Sequence, residues 1–389
     1  MAQPSTFHLE QFLVHAFHVG ELDAGRRVAD ILDGRTMVGA IEERFRGNRA
    51  WYSRSLGDML TLERSQITVP PAFDDWTNFN PCVASDGGTT LLVNLRSSNY
   101  RIRDDGSYDV LNADGIIRTA NQILRVGHDL LPAGPAWTWP DPSPRGSKRG
   151  IHGVEDCRFA WDAQSKSWRV SGTVCGPPDA NNPWGMREIG TLRLRPGSAD
   201  PVTDFVVRPP AIAGRHEKNW MPVEGRNDVW LYSCWEDGET CAAVVHGDGW
   251  QLNKVGPAPA AARHFRGGSQ LVNLGARGFM HRDTLNPWYL AVIHEVLPGD
   301  NGKRVYEHRF VTFDRELRIT GYSQPWWING SRQIEFVAGA AVVAGGVRPH
   351  PQLVISYGVN DCEAWLAACD LFDALDMCVP VATPEETKA

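Results

Sequence analysis

From about Ile67 onward, short apolar or alternating runs recur between turn residues: "TTLLVNLRS", "SWRVSGTV", "IGTLRLRP", "DVWLYSCW", "CAAVVHG", "WYLAVIHEV", "EHRFVTFD", "FVAGAAVVAG" and "QLVISYG". Thr, Val, Tyr and Trp dominate these runs, and Gly, Pro, Asn and Asp separate them, which predicts strands joined as hairpins. The stretch "DCEAWLAACDLFDAL" predicts a strand followed by a short helix. Before Ile67 the texture differs. Val28, Ile31, Leu32, Met37, Val38 and Ile41 recur at a loosely helical period, with Gly34 as a break. The pattern therefore predicts a helical N-terminal segment over 1–68 and an all-β domain over 69–380. Hairpins alone are compatible with a propeller, a pair of sandwiches or a β-helix. A regular short repeat of the WD40 kind is missing, so any blades have diverged.

Polar motifs sit beside most of these strands: "NFNP" at 78–81, "RSSNY" at 96–100, "EDCR" at 155–158, "HEKNWMP" at 216–222, "RGGS" at 266–269, "HR" at 308–309 and "SYGVND" at 356–361. One motif per hairpin group is the spacing expected when each blade of a propeller sends a few polar side chains into a shared central pocket. Glu155 and Asp156 are adjacent, so on a regular strand they point to opposite faces, one to the pocket and one outward, and Glu155 is read as the outward one. A carboxyl among apolar neighbours has its pKa raised towards use as an acid. The competing reading is an ion pair between Asp156 and Arg158, which share a face. Arg96, Arg158, Lys218, Arg266 and Arg309 supply cations that suit phosphate, sugar hydroxyls or structural carboxylates. Glu224, Glu295 and Glu335 are the carboxylates available to activate water. His216 and His308 are candidate hydrogen-bonding groups for sugar or phosphate, while His152, His264 and His294 are scattered without metal-ligand spacing.

The fifteen tryptophans change this picture towards carbohydrate. Several fall in "WTW" at 137–139, "NPW" at 182–184 and 286–288, and "PWW" at 325–327. Half are expected in the core; the others suit a sugar, because an indole offers an apolar face and one N–H donor. Charge changes it by exclusion. With 39 basic against 46 acidic residues the net charge is −7, which argues against nucleic acid as the main ligand. No apolar run has the roughly 20 residues that cross a bilayer, so no membrane partner is expected. The N-terminus lacks a secretory layout, which makes the cytoplasm the default expectation. Eight cysteines, none in a CxxC pair, read as buried reduced thiols. There is no Asp-x-Asp metal motif, no dinucleotide fingerprint and no nucleophile elbow at Ser269, and no cofactor or metal is expected.

Taken in order, Phe79-Asn80-Pro81 leading to Arg96, Gly153-Val154-Glu155-Asp156-Cys157-Arg158, Lys218-Asn219-Trp220-Met221-Pro222 and Tyr357-Gly358-Val359-Asn360-Asp361 resemble the signature of glycoside hydrolase family 130. That family holds β-mannoside phosphorylases and β-1,2-mannosidases, with related β-1,2-mannosyltransferases. The resemblance spans about residues 78–367. It implies a five-bladed β-propeller with its site in the central funnel and an inverting enzyme that cleaves β-mannosides, β-1,2-linked ones first. It also implies Asp156 as the general acid, relaying its proton through a sugar hydroxyl, and Lys218 among the anion ligands. Inorganic phosphate would be the co-substrate of a phosphorylase and water that of a hydrolase. A transferase building the same linkage, or a propeller that binds glycans without turnover, is compatible with the same residues, as is a homo-oligomer. Asn80, Arg96, Asn99, Tyr100, Glu155, Arg158, Lys218, Asn219, Trp220, Arg266, His308, Tyr357 and Asp361 are the substrate-binding candidates. Cys157 departs from the family's proline, and "RTANQIL" at 118–124 with "RGGSQ" at 266–270 mark a divergent branch.

Overall fold

A computed structural model describes residues 5–88, 90–103, 105–143, 151–177, 185–246, 249–279, 287–299, 303–344 and 350–381. The tryptophan motif at 182–184 and Asn286 of the second such motif lie outside the described residues.

The predicted hairpins build five sheets in chain order. The first contains Thr77–Ser85, Leu91–Ser98, Ile117–Val126 and Trp137–Thr138, with Ile151–His152 added in parallel. The second runs Glu155–Asp162, Ser167–Cys175, Arg187–Leu194 and Val202–Arg208. The third runs Met221–Pro222, Val229–Glu236, Glu239–His246 and Gly249–Pro257. The fourth is centred on Tyr289–Pro298 and Arg304–Phe313. The fifth contains Glu335–Val343, Gln352–Val359 and Glu363–Asp370, with Glu63–Gln66 as its outer strand. A two-stranded ribbon, Tyr100–Ile102 with Tyr108–Val110, stands out from the first sheet.

Neighbouring sheets bury apolar faces against one another, which is why the strands read as near-continuous apolar runs. Cys82, Ile123, Phe159 and Val170 fill the seam between the first two sheets. Trp220, Trp230 and Ile189 fill the next, and Leu231, Ala291 and Phe313 the one after. Trp326, Val292 and Ile355 join the fourth sheet to the fifth, and Val93, Leu124 and Leu366 join the fifth to the first. The result is an all-β, propeller-type arrangement. The expectation of a five-bladed propeller needs correction: among the described residues four sheets follow a four-strand path, a four-blade arrangement, and the fourth sheet in chain order is a seven-strand composite and not a fifth blade of that kind. It departs because Arg54–Ser55 and Val379–Pro380, from far along the chain in either direction, are added to its rim.

The N-terminal helices are α1 (Thr6–His18), α2 (Leu22–Asp33) and α3 (Gly39–Arg49). Ser5 caps α1 by accepting from the His8 backbone N–H at 3.3 Å. Leu13, Leu32, Met37 and Phe45 form their small shared core. Of the apolar positions expected to pack, Ile31, Val38 and Ile41 are instead exposed. The last of these α-helices ends at Arg49, only a short 3-10 turn at Leu56–Asp58 follows, and residues 54–55 and 63–66 already contribute strands, so the helical segment is shorter than 1–68. After the last long strand, α4 (Leu371–Asp376) follows as expected, capped by Asp370 accepting from Phe372 N–H at 2.8 Å. No helix among the described residues is long and apolar enough to cross a membrane.

A buried ion cluster fastens the helices to the fourth sheet. Arg49 reaches Asp33 and Glu295 at 2.9 Å each and Glu307 at 3.3 Å; Arg309 reaches Glu295 at 2.7 Å and Asp33 at 2.8 Å. Arg309 therefore belongs to this clamp and not to the central site. Burial opposes the charge on Glu295, but Arg49 and Arg309 hold its carboxyl well below the usual range. The stability this pairing contributes is present above about pH 4.5, the ordinary value for a glutamate, and is lost as pH falls further. Removing one partner of such a buried cluster strands the others, at a cost of about 3–5 kcal/mol. Thermal denaturation of Arg49→Met should therefore show a large loss. Arg103→Ala, which breaks only the exposed 2.6 Å pair with Asp109, should change stability by no more than about 1 kcal/mol. Equal melting temperatures for the two variants would show that the clamp is dispensable.

Candidate active site

The inner ends of the strands surround a cavity of about 670 Å³. Nine of the fourteen candidates line it: Asn80, Arg96, Tyr100, Glu155, Asp156, Lys218, Asn219, Arg266 and Asp361. Local backbone chemistry brings them there. Asn80, Asp156, Asn219 and Asp361 all have positive φ, at 45°, 49°, 62° and 50°. Asn and Asp are the side-chain-bearing residues that tolerate this left-handed region best. In the first two sheets the same positions are bulges, where pairing slips between Phe79 and Cys82 and between Glu155 and Arg158. A bulge bends the strand and re-aims its side chains.

The bulge corrects the expectation that Glu155 faces outward. Glu155 is buried and pairs with Arg96, which also holds Asp156 at 2.9 Å. Both carboxylates therefore turn to the same guanidinium, because the extra residue breaks the strict alternation of a strand. Asn80 donates to Asp156 Oδ1 at 3.1 Å. Gly358 of the "SYGVND" motif is needed here, since a Cβ on it would lie 2.1 Å from Asn80 Oδ1. Gly267 has a matching reason, its Cβ position lying 2.1 Å from the Asn219 carbonyl oxygen.

Arg158 sits beneath the cavity, 1% exposed, and makes no side-chain ion pair with Asp156. Its Nε donates to the Gly268 carbonyl at 2.6 Å, its Nη1 to the Asp156 carbonyl at 2.5 Å and its Nη2 to Asn219 Oδ1 at 3.0 Å. One side chain thus ties three of the sequence motifs together. The Asp156–Arg158 pairing considered from sequence is a backbone contact.

Burial works against ionisation of Asp156, but Arg96, Arg158 and Lys218, with the Asn80 hydrogen bond, bring its pKa below the ordinary value. The expected upward shift is thereby reversed, because cations and not apolar groups surround it. Asp361 is the carboxyl that moves up: burial dominates, Asp156 and Glu155 add to it, and Arg96 and the Tyr100 hydroxyl, donating at 2.8 Å, oppose it.

Five candidates lie elsewhere. Asn99 holds its own loop, donating to Asn112 Oδ1 at 2.6 Å and the Ile116 carbonyl at 2.9 Å. Trp220 is a core residue between the second and third sheets and donates to Glu217 at 3.0 Å. His308 stacks on Trp326 at 5.2 Å, and burial pushes its pKa down to about 3. Tyr357 packs in the seam between the fourth and fifth sheets and donates to Asn329 at 3.3 Å. The fifth is Arg158. His216 stands outside the wall and accepts from the Arg187 backbone N–H at 3.1 Å.

The three glutamates proposed as bases are all structural. Glu224 accepts from Asn273 N–H at 3.0 Å, and Glu295 is in the clamp. Glu335 accepts from Ile328 and Asn329 N–H groups at 2.7 and 2.8 Å, and burial raises its pKa to about 7. Cys157, where the resemblance leads one to expect proline, fills the first seam beside Cys82; burial pushes its thiol well up. Seven of the cysteines are buried and Cys362 is exposed.

The cavity also contains side chains that the motifs did not indicate. Tyr108, Tyr306, Phe336 and His294 form an aromatic side, with His294 ring centroids 5.3 Å from Tyr306 and 5.2 Å from Phe336. Arg187, Lys303 and Arg304 add cations. No tryptophan among the described residues lines it, so the expected indole platform is supplied by tyrosine and phenylalanine. The turn-bounded ribbon carrying Tyr100 and Tyr108 was the one legible signal for part of this wall. No group of His, Cys, Asp or Glu among the described residues is arranged to hold a metal ion.

No protein-family model matches the sequence, and no curated protein matches it. Solved structures do. A structure described as belonging to family 130 of mannoside phosphorylases, which contains glycoside hydrolases that target β-1,2 mannosidic linkages in Candida mannan, aligns over 85% of this chain and 98% of its own, with 13% identity and a TM-score of 0.51. The β-1,2-mannobiose phosphorylase of Listeria innocua aligns over 82% and 99%, with 14% identity and a TM-score of 0.47. MPT-4, a mannose phosphorylase from Leishmania mexicana, aligns over 87% and 95%, with 10% identity and a TM-score of 0.46. The resemblance first read from the motifs is therefore matched in three dimensions: this chain has the fold of the family 130 structure.

Proposed function

We propose that the chain is an inverting glycoside phosphorylase acting on β-mannosides. The observation that carries this reading is the composition of the cavity. Asp156 shares it with Lys218, Arg266 and Arg187, while the three glutamates that hydrolysis could have used are committed to structural contacts. In the reaction, a phosphate oxygen attacks the anomeric carbon as the bond from that carbon to the leaving oxygen breaks. Asp156 supplies the proton that the leaving oxygen takes up, through a sugar hydroxyl as the family resemblance implies. Its depressed pKa fits this role once phosphate is bound, because a dianion beside Lys218 and Arg266 offsets the cations that hold the proton off. Asp361 and Tyr100 suit sugar hydroxyls, and Tyr108, Tyr306 and Phe336 suit the apolar faces of the rings. The outer cations Lys303 and Arg304 also support a second reading, transfer from a donor with a longer anionic portion such as GDP-mannose.

Incubation with β-1,2-mannobiose and inorganic phosphate should release mannose 1-phosphate. Free mannose formed equally well without phosphate would replace phosphorolysis by hydrolysis, and turnover only with GDP-mannose would replace it by transfer. In Asp156→Asn, kcat should fall by about 10²–10⁴-fold, the usual worth of a positioned acid. Phosphate should bind that variant at least as tightly, since a negative charge has gone. Retained turnover would remove Asp156 from the mechanism.

A pH profile tests Asp361. Its ionised form would accept a sugar hydroxyl, and the Tyr100 hydroxyl helps keep it ionised. Losing that donor in Tyr100→Phe raises the Asp361 pKa further, so the acid limb of kcat/KM should move to higher pH. An acid limb that stays in place would show that Asp361 does not govern binding.

A further inference from the structure

At the strand ends opposite the cavity, the first and second sheets part to leave a groove of about 160 Å³, lined by Asp86, Arg125, Trp161, Lys166, Trp168 and Arg195 among others. Trp161 lies on the same strand as Asp156, about 17 Å further along at about 3.3 Å per residue. A small ligand cannot occupy both places. Trp161 is half-buried at the hairpin end, directly across from Trp168, with ring centroids 5.0 Å apart and planes at 57°. Trp168 is buried in the seam, so the partly open indole rests on a fixed neighbour.

Charge distinguishes this groove from ordinary surface. Arg125, Lys166 and Arg195 are exposed, and none has an ion-pair partner among the described residues. Arg125 reaches only Thr90 Oγ1, at 3.5 Å. The one acid, Asp86, accepts from the Gly88 N–H at 2.8 Å. Three cations thus gather round one indole on a protein whose net charge is −7. Lys166 is held in a tight turn, with φ of 49°, where Asp162 accepts from the Gln164 and Ser165 N–H groups at 3.0 and 3.3 Å.

We propose that this groove is a second binding site, for a saccharide unit that carries a phosphate or carboxylate group. The indole of Trp161 packs on the C–H face of the ring, and Arg125, Lys166 and Arg195 hold the anion. The volume suits one ring with one anionic substituent and is small for a nucleotide. The site does not depend on the chemistry of the central cavity.

Calorimetric titration of the full chain with mannose 6-phosphate and with glucuronate tests the two sources of the anion, with mannose and inorganic phosphate as controls. At least one charged sugar should bind, and more weakly at high salt, with neither control losing affinity in the groove variants. Trp161→Ala and, separately, the surface variant Arg125→Gln/Arg195→Gln should each weaken that binding about tenfold or more. The double variant changes only exposed side chains, so it reads the site even where Trp161→Ala disturbs the hairpin. Binding unchanged in the double variant would assign the ligand to the central cavity and overturn the proposal. Inorganic phosphate or uridine monophosphate losing as much affinity in the double variant as the charged sugar does would overturn it as well.

Discussion

Glu155, Asp156 and Asp361 share one buried space, and the guanidinium of Arg96 is what makes that arrangement tolerable. Two like charges about 4 Å apart repel by about 4 kcal/mol at an effective dielectric of 20. Arg96 is itself buried, pairs with both Glu155 and Asp156, and acts on Asp361 through space. Its ring neighbours Phe79 and Tyr100, at 4.8 and 5.8 Å, leave it little room to turn away. Arg96 draws both Asp156 and Asp361 towards the ionised form; at Asp156 it prevails together with Arg158 and Lys218, whereas at Asp361 burial and the neighbouring carboxylates outweigh it. Two carboxylates in one cavity thus acquire different proton affinities from their positions alone.

Much of the fold was legible because strands buried on both faces write long apolar runs, and every such run quoted from the sequence falls on a strand. The motifs were legible as a group for a different reason. Most of them mark a place where the chain reaches the cavity, and left-handed Asn or Asp residues recur at four of those entries. What alternation could not convey was the bulge itself. Nothing in "GVEDCRF" announces that Asp156 sits at positive φ, so Glu155 was sent outward when it turns in beside its neighbour. Trp220, His308 and Tyr357 show the complementary error. They stand within the motifs, yet their bulk or apolar surface is used to seal seams, while Asn219 beside Trp220 reaches the cavity. The glutamates at 224, 295 and 335 fail as bases because a buried carboxylate without a positioned substrate finds backbone N–H groups or arginines instead.

Tryptophan was read correctly in kind and wrongly in place. Its excess drew attention to sugar binding, but the central cavity uses tyrosine and phenylalanine, and the indoles mostly fill seams between sheets. Trp161 is the instructive exception, because it is half-open and ringed with cations at the end of the strand far from Asp156. Arg158 illustrates a related point. A cation in such a motif can be structural: here it bonds the Asp156 and Gly268 carbonyls and the Asn219 side chain beneath the cavity.

The outer strand Glu63–Gln66 pairs with Glu363–Asp370, which lies almost the whole length of the chain away. During synthesis, the fifth sheet's partner for residues 63–66 emerges about 300 residues after them, so the ring cannot close until residues 363–370 have been made. Such non-local pairing slows folding and leaves an open sheet edge in the meantime. Polar residues Glu63, Arg64, Ser65 and Gln66 make up the waiting strand, and a charged edge of this kind resists pairing with other chains. The timing of assembly is therefore written into the same segment that links the helical clamp to the first sheet.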